Sequence, residues 1–255
     1  MDQHQLAAEQ FGATAQAYLT SAVHAQGADL QRLRELGRTQ PGALALDLGC
    51  GAGHAGFALA EAGMQVTAYD LSAPMLEVVA QEAQRRGLPG LQTRQGPAER
   101  LPFGAAAFDL IVTRFSAHHW LDLPGALREA RRVLRPDGTL VVVDVVAPES
   151  PLLDTLLQAV EILRDASHVR DYRVSEWRAM LQAAGFAAPE TDRWTLPMVF
   201  DTWVARMRTP TLRVQAIRDV LAQAAAEARR HFQVQPDGSF LLDVAWMRSR
   251  AGASA

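Results

Sequence analysis

The residues whose types and spacing could do chemistry begin with three glycines at alternate positions, Gly49, Gly51 and Gly53, within LALDLGCGAGH (Leu44–His54). Glycine lets a backbone turn tightly and lets a ligand approach where a Cβ would collide. Apolar Leu44, Leu46 and Leu48 precede the loop and Phe57, Leu59 and Ala60 follow it, which reads as buried strand, loop and helix. Open α/β sheets bind their ligands at the carboxyl ends of such strands. Asp47 sets a carboxylate just before the loop. Asp70 ends the next strand, MQVTAYD, where an acidic side chain can accept both hydroxyls of a ribose. A tight turn, for the glycines, and an ordinary turn or cap, for Asp70, are the plainer alternatives. The G-x-G-x-G spacing is not the G-x-G-x-x-G of dinucleotide binders, which disfavours an NAD-dependent oxidoreductase.

His118 and His119 follow the apolar run FDLIVTR (Phe108–Arg114) and fall at the same ligand-bearing edge. A histidine near its ordinary pKa suits proton removal at neutral pH. The alternative is that one or both rings pack against Trp120. His168, in the helical insertion, is a weaker candidate base and reads rather as a surface or cap residue. Arg206 and Arg208 are two apart in a helical stretch, so they cannot share a helix face. One is expected to point inward and to need an anion. An internal carboxylate such as Asp201 is the plainer partner, and a carboxylate or phosphate on a substrate is the other.

Strands and helices alternate from residue 43 to 146, the pattern of a doubly wound parallel sheet. The strands are LALDL, MQVTAYD, LQTRQ, FDLIVTR and TLVVVDVV. Gly63 marks a helix end, Ser72 an N-cap with Pro74 in the first turn, and Arg135-Pro136-Asp137-Gly138 a turn. Arg128, Arg131, Arg132 and Arg135 look like a basic patch and read as a solvated helix face. Before the sheet, residues 4–37 show helical spacing through Leu6, Phe11, Tyr18, Val23, Leu30 and Leu33. After Ser150 come a helix over 151–166, a second in SEWRAMLQAAGF with Ser175 as cap and Gly185 as terminator, and a strand near Arg193–Met198. A helical stretch over 200–232 and a last strand, SFLLDVAWM, complete the chain. The two late strands could close the sheet as an antiparallel edge. The whole of 1–255 is expected to form one domain, with a core over about 40–150, an N-terminal helical lid over 1–40, and a helical insertion with late strands over 150–255.

A net charge of −3 argues against nucleic-acid binding, which calls for a basic stripe. The single cysteine, Cys50, excludes a disulfide framework and a thiolate zinc site, and no metal is expected. The N-terminal residues lack the features of a signal peptide, and LVVVDVV is interrupted by Asp144. The expectation is a cytoplasmic protein without a membrane span; the sequence assigns no oligomeric state.

LDLGCGAGH, Asp70 at the next strand end, PAERLPF, FDLIVTRFSAHHW and REARRVLRPDGTLVVVD resemble, in order and spacing, the class I S-adenosylmethionine-dependent methyltransferases. The most similar group is type 11, which includes ubiquinone and menaquinone C-methyltransferases. The resemblance covers about residues 40–146. It implies a Rossmann-like sheet of seven strands with the last antiparallel, S-adenosyl-L-methionine as cofactor, and a small-molecule acceptor. It also implies site roles. Gly49, Cys50, Gly51 and Gly53 would lie along the amino-acid portion of the cofactor, with Asp47 near its ammonium. Asp70 would hold the ribose, Leu71 and Met75 would flank the adenine, and Ala98 and Glu99 would follow its edge. Arg114 would face the methionine portion, and Tyr18 resembles a lid tyrosine. Pro97 stands where the family usually has an acidic residue, and the late quinone signatures are missing. The rival to an enzyme is a non-catalytic S-adenosylmethionine- or nucleotide-binding module that acts through a partner.

Overall fold

The change from helical spacing to short apolar runs at residue 43 is where the sheet begins. The computed structural model describes residues 1–12, 15–20 and 25–252, so Val23 lies outside the described residues. Seven strands form one sheet: β1 (Leu44–Leu48), β2 (Gln65–Asp70), β3 (Leu91–Gln95), β4 (Phe108–Arg114), β5 (Leu134–Val145), β6 (Glu190–Met198) and β7 (Phe240–Arg250). Their order is β3-β2-β1-β4-β5-β7-β6. Strands β1 to β5 pair in parallel, and β7 is antiparallel to both β5 and β6. The chain leaves β1 outward to β2 and β3 and returns to β4, so the strand order reverses between β1 and β4. A crevice opens at such a point.

The central strands are apolar on both faces because helices cover both. Leu46, Ile111, Leu140 and Val142 point into one core, with Leu127 of α6 (Leu123–Val133) and Trp177 of α8 (Val174–Ala183). Ala45, Leu110, Val112, Val141 and Val143 point into the other, with Leu30 and Leu33 of α3 (Ala28–Arg38) and Leu59 of α4 (His54–Glu61). Alternate residues of one strand thus feed opposite cores, as the period-two geometry of a strand requires. A third core lies under the late helices. It joins Leu157 and Val160 of α7 (Pro151–Arg164), Trp203 of α9 (Phe200–Arg206), Ile217 of α10 (Thr211–Gln223) and Leu242 of β7. At the N-terminus, α1 (Gln3–Gly12) and α2 (Ala15–Thr20) lie near α5 (Ala73–Arg85).

Several local expectations change. The sequence Arg135–Gly138 is not a free turn: β5 runs through it, and the ladder to β4 jumps from Phe108–Leu134 to Leu110–Thr139. The extra residues bulge out of the strand. Arg173, not Ser175, caps α8, and Ser175 Oγ donates to Glu149 at 2.6 Å instead. Ser72 occupies its N-cap position, yet its buried hydroxyl makes no hydrogen bond among the described residues. The arginines in and just after α6 are more than a solvated face. Arg131 donates to the carbonyls of Gly185 and Gly252, Arg132 to those of Leu101 and Phe103, and Arg135 pairs with Asp109. The helical stretch over 200–232 is three helices, with α11 at Ala226–His231. Among the described residues, no helix is long and apolar enough to cross a membrane.

Candidate active site

The glycine loop is tied to the end of β2. The N–H groups of Gly49 and Cys50 both donate to the Tyr69 carbonyl, at 2.8 and 3.0 Å. Asp70 completes the tie: its Oδ2 accepts from Gly51 N at 2.8 Å and its Oδ1 from Ser72 N at 2.9 Å. Burial raises the Asp70 pKa, opposed by those N–H groups. Each carboxylate oxygen still has a second lone pair to offer.

The three glycines serve different needs. A Cβ on Gly49 would sit 2.0 Å from Ser116 Oγ, and one on Gly53 would press Val79 at 2.9 Å. Gly51 has a φ of +48°, and a Cβ there would meet nothing within 4 Å. Its missing side chain therefore leaves open space in front of the loop.

That space is a cavity of about 1000 Å³ at the carboxyl ends of β1, β2 and β4. Of the twelve residues expected to hold the cofactor, eleven line it. They are Asp47, Gly49, Cys50 and Gly51 of the loop; Asp70, Leu71 and Met75 after β2; Ala98 and Glu99; and Arg114 and Tyr18. Gly53 does not line it and instead begins α4. Asp47 is fully buried; its Oδ2 accepts from Gly56 N at 2.7 Å and its Oδ1 has no hydrogen-bond partner among the described residues. Burial pushes its pKa up to about 7. Arg114 pairs with buried Asp29 of α3, and Glu99 accepts from the backbone of Leu121 and Asp122 at 3.1 and 3.3 Å. Pro97, which stands in place of an acidic residue, lends its carbonyl to the Tyr69 hydroxyl at 3.2 Å.

A second cavity, of about 560 Å³, adjoins the first. Phe11, Tyr18, Phe115 and His119 line both. His118 lines only the second and is held by β5: its Nδ1 lies 2.6 Å from Asp144 Oδ1. Burial disfavours the charged ring, but Asp144 and the nearby Asp171 outweigh it and push the pKa up to about 9. His119 differs. Its Nδ1 lies 3.1 Å from the Ser167 carbonyl and 3.4 Å from the Ser167 hydroxyl, and its Nε2 lies 4.0 Å from Asp165 Oδ2. Burial and the His118 charge bring its pKa down to about 4. His168 is no surface residue. It is buried, with Nε2 3.0 Å from Gln158 Oε1, and burial lowers its pKa.

The rest of the second cavity comes from the late helices and strands. Glu161 and Arg164 of α7, Asp171, and Arg206 of α9 contribute charge; Met198, Trp203 and Leu242 contribute apolar surface. Arg208 is exposed and lines neither cavity, and α9 ends before it. Asp201, expected as the internal partner of an inward arginine, instead pairs with Arg218 at 2.8 Å. Sequence reading missed Asp144 and Asp171. Asp144 had a usable signal, an acid at the carboxyl end of a buried strand, which is the signal that singled out Asp70. Asp171 had none beyond its place in HVRDYR.

Residues 46–142 match the family described as "Methyltransferase domain". The uncharacterized protein YafE of Escherichia coli is 48% identical over 188 residues, which is 74% of this chain and 91% of YafE. The uncharacterized methyltransferase YcgJ of Bacillus subtilis is 38% identical over 87% of this chain and 88% of its own. The YcgJ crystal structure superposes with a TM-score of 0.84, at 35% identity, over 88% of this chain and 98% of that one. The ubiquinone/menaquinone biosynthesis C-methyltransferase UbiE of Rhizobium etli is 37% identical over 48% of this chain and 49% of its own. With the glycine loop, the acid at the end of β2 and the seven-stranded sheet with its antiparallel β7, these likenesses assign the chain to the class I S-adenosylmethionine-dependent methyltransferases of the type 11 group.

Proposed function

We propose that the chain works as one domain that methylates a small-molecule acceptor held in the second cavity, with the donor in the first. The observation that carries this reading is the shared wall of Phe11, Tyr18, Phe115 and His119. The second space is lined by both apolar and charged side chains, as small-molecule pockets are. It meets the first where donor and acceptor must come together.

The residues present fit S-adenosylmethionine. Oδ1 of Asp47, without a hydrogen-bond partner among the described residues, can accept from an ammonium, and a cation there would bring its raised pKa back down. The open front of Gly51 admits a ligand against the backbone, and Asp70 is set to receive ribose hydroxyls. Leu71 and Met75 offer an apolar slot for the base, beside Ala98 and Glu99. Bound there, the cofactor supplies a methyl carbon already activated for in-line displacement.

The protein then has to align the acceptor, exclude water and take up a proton. The two histidines divide that work. His119 touches both cavities as a neutral ring, with Nε2 4.0 Å from Asp165 Oδ2, and serves in this reading as the proton acceptor of the pair. His118, held protonated by Asp144, is a donor and a fixed positive charge in the acceptor cavity.

The test is a methyl-transfer screen with labelled donor against metabolite extracts, with NAD as a binding control. Label in a low-molecular-weight product, with S-adenosylhomocysteine formed, is the expected result. Label only in macromolecules would overturn the small-molecule reading.

A further inference from the structure

The acceptor cavity has an unbalanced charge. Its acids have cationic neighbours: Glu161 lies 3.5 Å from Arg164, and Asp171 lies 4.0 Å from His118. Burial raises the pKa of both acids, Asp171 well above the usual carboxylate range. The carboxylate that acts on Arg206 is Glu161, which Arg164 already engages. Arg206 is half-buried on the cavity wall and makes no ion pair among the described residues. Arg164 and Arg206 both act on the Tyr18 hydroxyl in the shared wall, and Arg164 disfavours the Arg206 charge. Asp201, the carboxylate that could have answered Arg206, is turned to Arg218 at the exposed rim. A guanidinium keeps its charge on burial, and a desolvated charge calls for a partner.

The remaining wall is apolar: Val145, Leu196, Met198, Trp203 and Leu242. We propose that the acceptor is an amphipathic acid, with an anionic oxygen group on Arg206 and an apolar body against Met198, Trp203 and Leu242. This rests on the donor and acceptor assignment above. A carboxylate and a phosphate share the chemistry, since both can accept two parallel N–H bonds from a guanidinium.

Calorimetry on the full chain saturated with S-adenosylhomocysteine tests it, using octanoate, octyl phosphate, 1-octanol and octylamine as probes. One of the two anions should bind about tenfold or more tighter than the alcohol and the amine. Whichever anion binds better identifies the group. Arg206→Met should bring that anion to the level of octanol, Arg206→Lys should restore part of the loss, and S-adenosylhomocysteine affinity should stay within about twofold in both. Octanol or octylamine binding as tightly as the anions overturns the proposal, as does an Arg206→Met chain that keeps its anion affinity. If none of the four binds while S-adenosylhomocysteine does, the acid acceptor is wrong and the donor site stands. If S-adenosylhomocysteine itself fails to bind the unaltered chain, the donor assignment falls and the proposal falls with it.

Discussion

The first cavity is lined by the loop backbone, the carboxylates of Asp47 and Asp70 and many apolar side chains, mostly from residues 47 to 120, with α1 and Tyr18 beside them. The second is lined mainly by side chains from α7, the segment at Asp171, β6, α9 and β7, together with the wall it shares with the first. A cavity built from backbone fixes one ligand shape, because the fold itself sets the loop. A cavity built from side chains can change its ligand by substitution without touching the sheet. Function is grafted on a fold in this way, with a constant half and an adjustable half.

The sharpest way to break the contrast is at Gly51. Valine there would fill the open space and force a β-branched residue to a φ of +48°. Donor affinity should fall by roughly a hundredfold or more in calorimetry. A folded variant with unchanged affinity would reduce the loop to a turn. On the other side of the contrast, His119→Gln should lower kcat by about a hundredfold, the scale of general-base catalysis. Single-turnover rates at saturating donor give the reading, and an unchanged rate removes His119 from the chemistry. Asp70→Ala should cost about tenfold or more in donor affinity, from a lost charged acceptor of roughly 1.5–3 kcal/mol. It also frees the N–H groups of Gly51 and Ser72, so the melting temperature should fall as well.

Acidity sharpens the comparison further. His118 carries a pKa raised from 6.5 to about 9, so its contribution to stability is complete below pH 6.5 and lost as pH rises to about 9. Asp47, raised from 3.8 to about 7, has the same sign in a lower window: stability is lost as pH rises through 7. Urea midpoints of His118→Gln should therefore slope less than those of the unaltered chain between pH 6.5 and 9 and match its slope between pH 4 and 6. Equal slopes in the upper window would deny the Asp144 partnership. The smallest effect belongs to Arg208→Ala. This exposed residue lines neither cavity, so donor and acceptor affinities should stay within about 0.5 kcal/mol. A larger loss would extend the acceptor site beyond Arg206.

The first cavity was legible in sequence because its signals are local. Glycines at alternate positions, a carboxylate at a strand end and an apolar strand before a helix each occupy a few consecutive residues. Eleven of twelve expected residues therefore reached the cavity, and Gly53 missed it only because its role is to let α4 pack against Val79. The second cavity brings together residues far apart in the chain, such as Phe11 and Leu242, which no spacing rule joins. His168 illustrates the limit. A lone histidine in HVRDYR looks exposed, and only the packing of its segment against His118 and His119 buries it. Arg206 was half legible: the need for one inward arginine could be read, but its partner could not. The fate of Asp201 was decided by Arg218, seventeen residues away.

The four side chains shared by the two cavities carry a consequence for kinetics. On the donor and acceptor assignment proposed above, both stand against the same wall at the same time, so the reaction is expected to pass through a ternary complex. Initial-rate lines at different fixed acceptor concentrations should intersect rather than run parallel. Phe11 and Tyr18 belong to α1 and α2, and these are pinned to the acceptor half: Gln10 Nε2 donates to the Met207 carbonyl at 3.0 Å and Gln3 Nε2 to that of Ser167 at 2.7 Å. Whatever factor a seated donor applies to acceptor affinity, a seated acceptor must return to the donor.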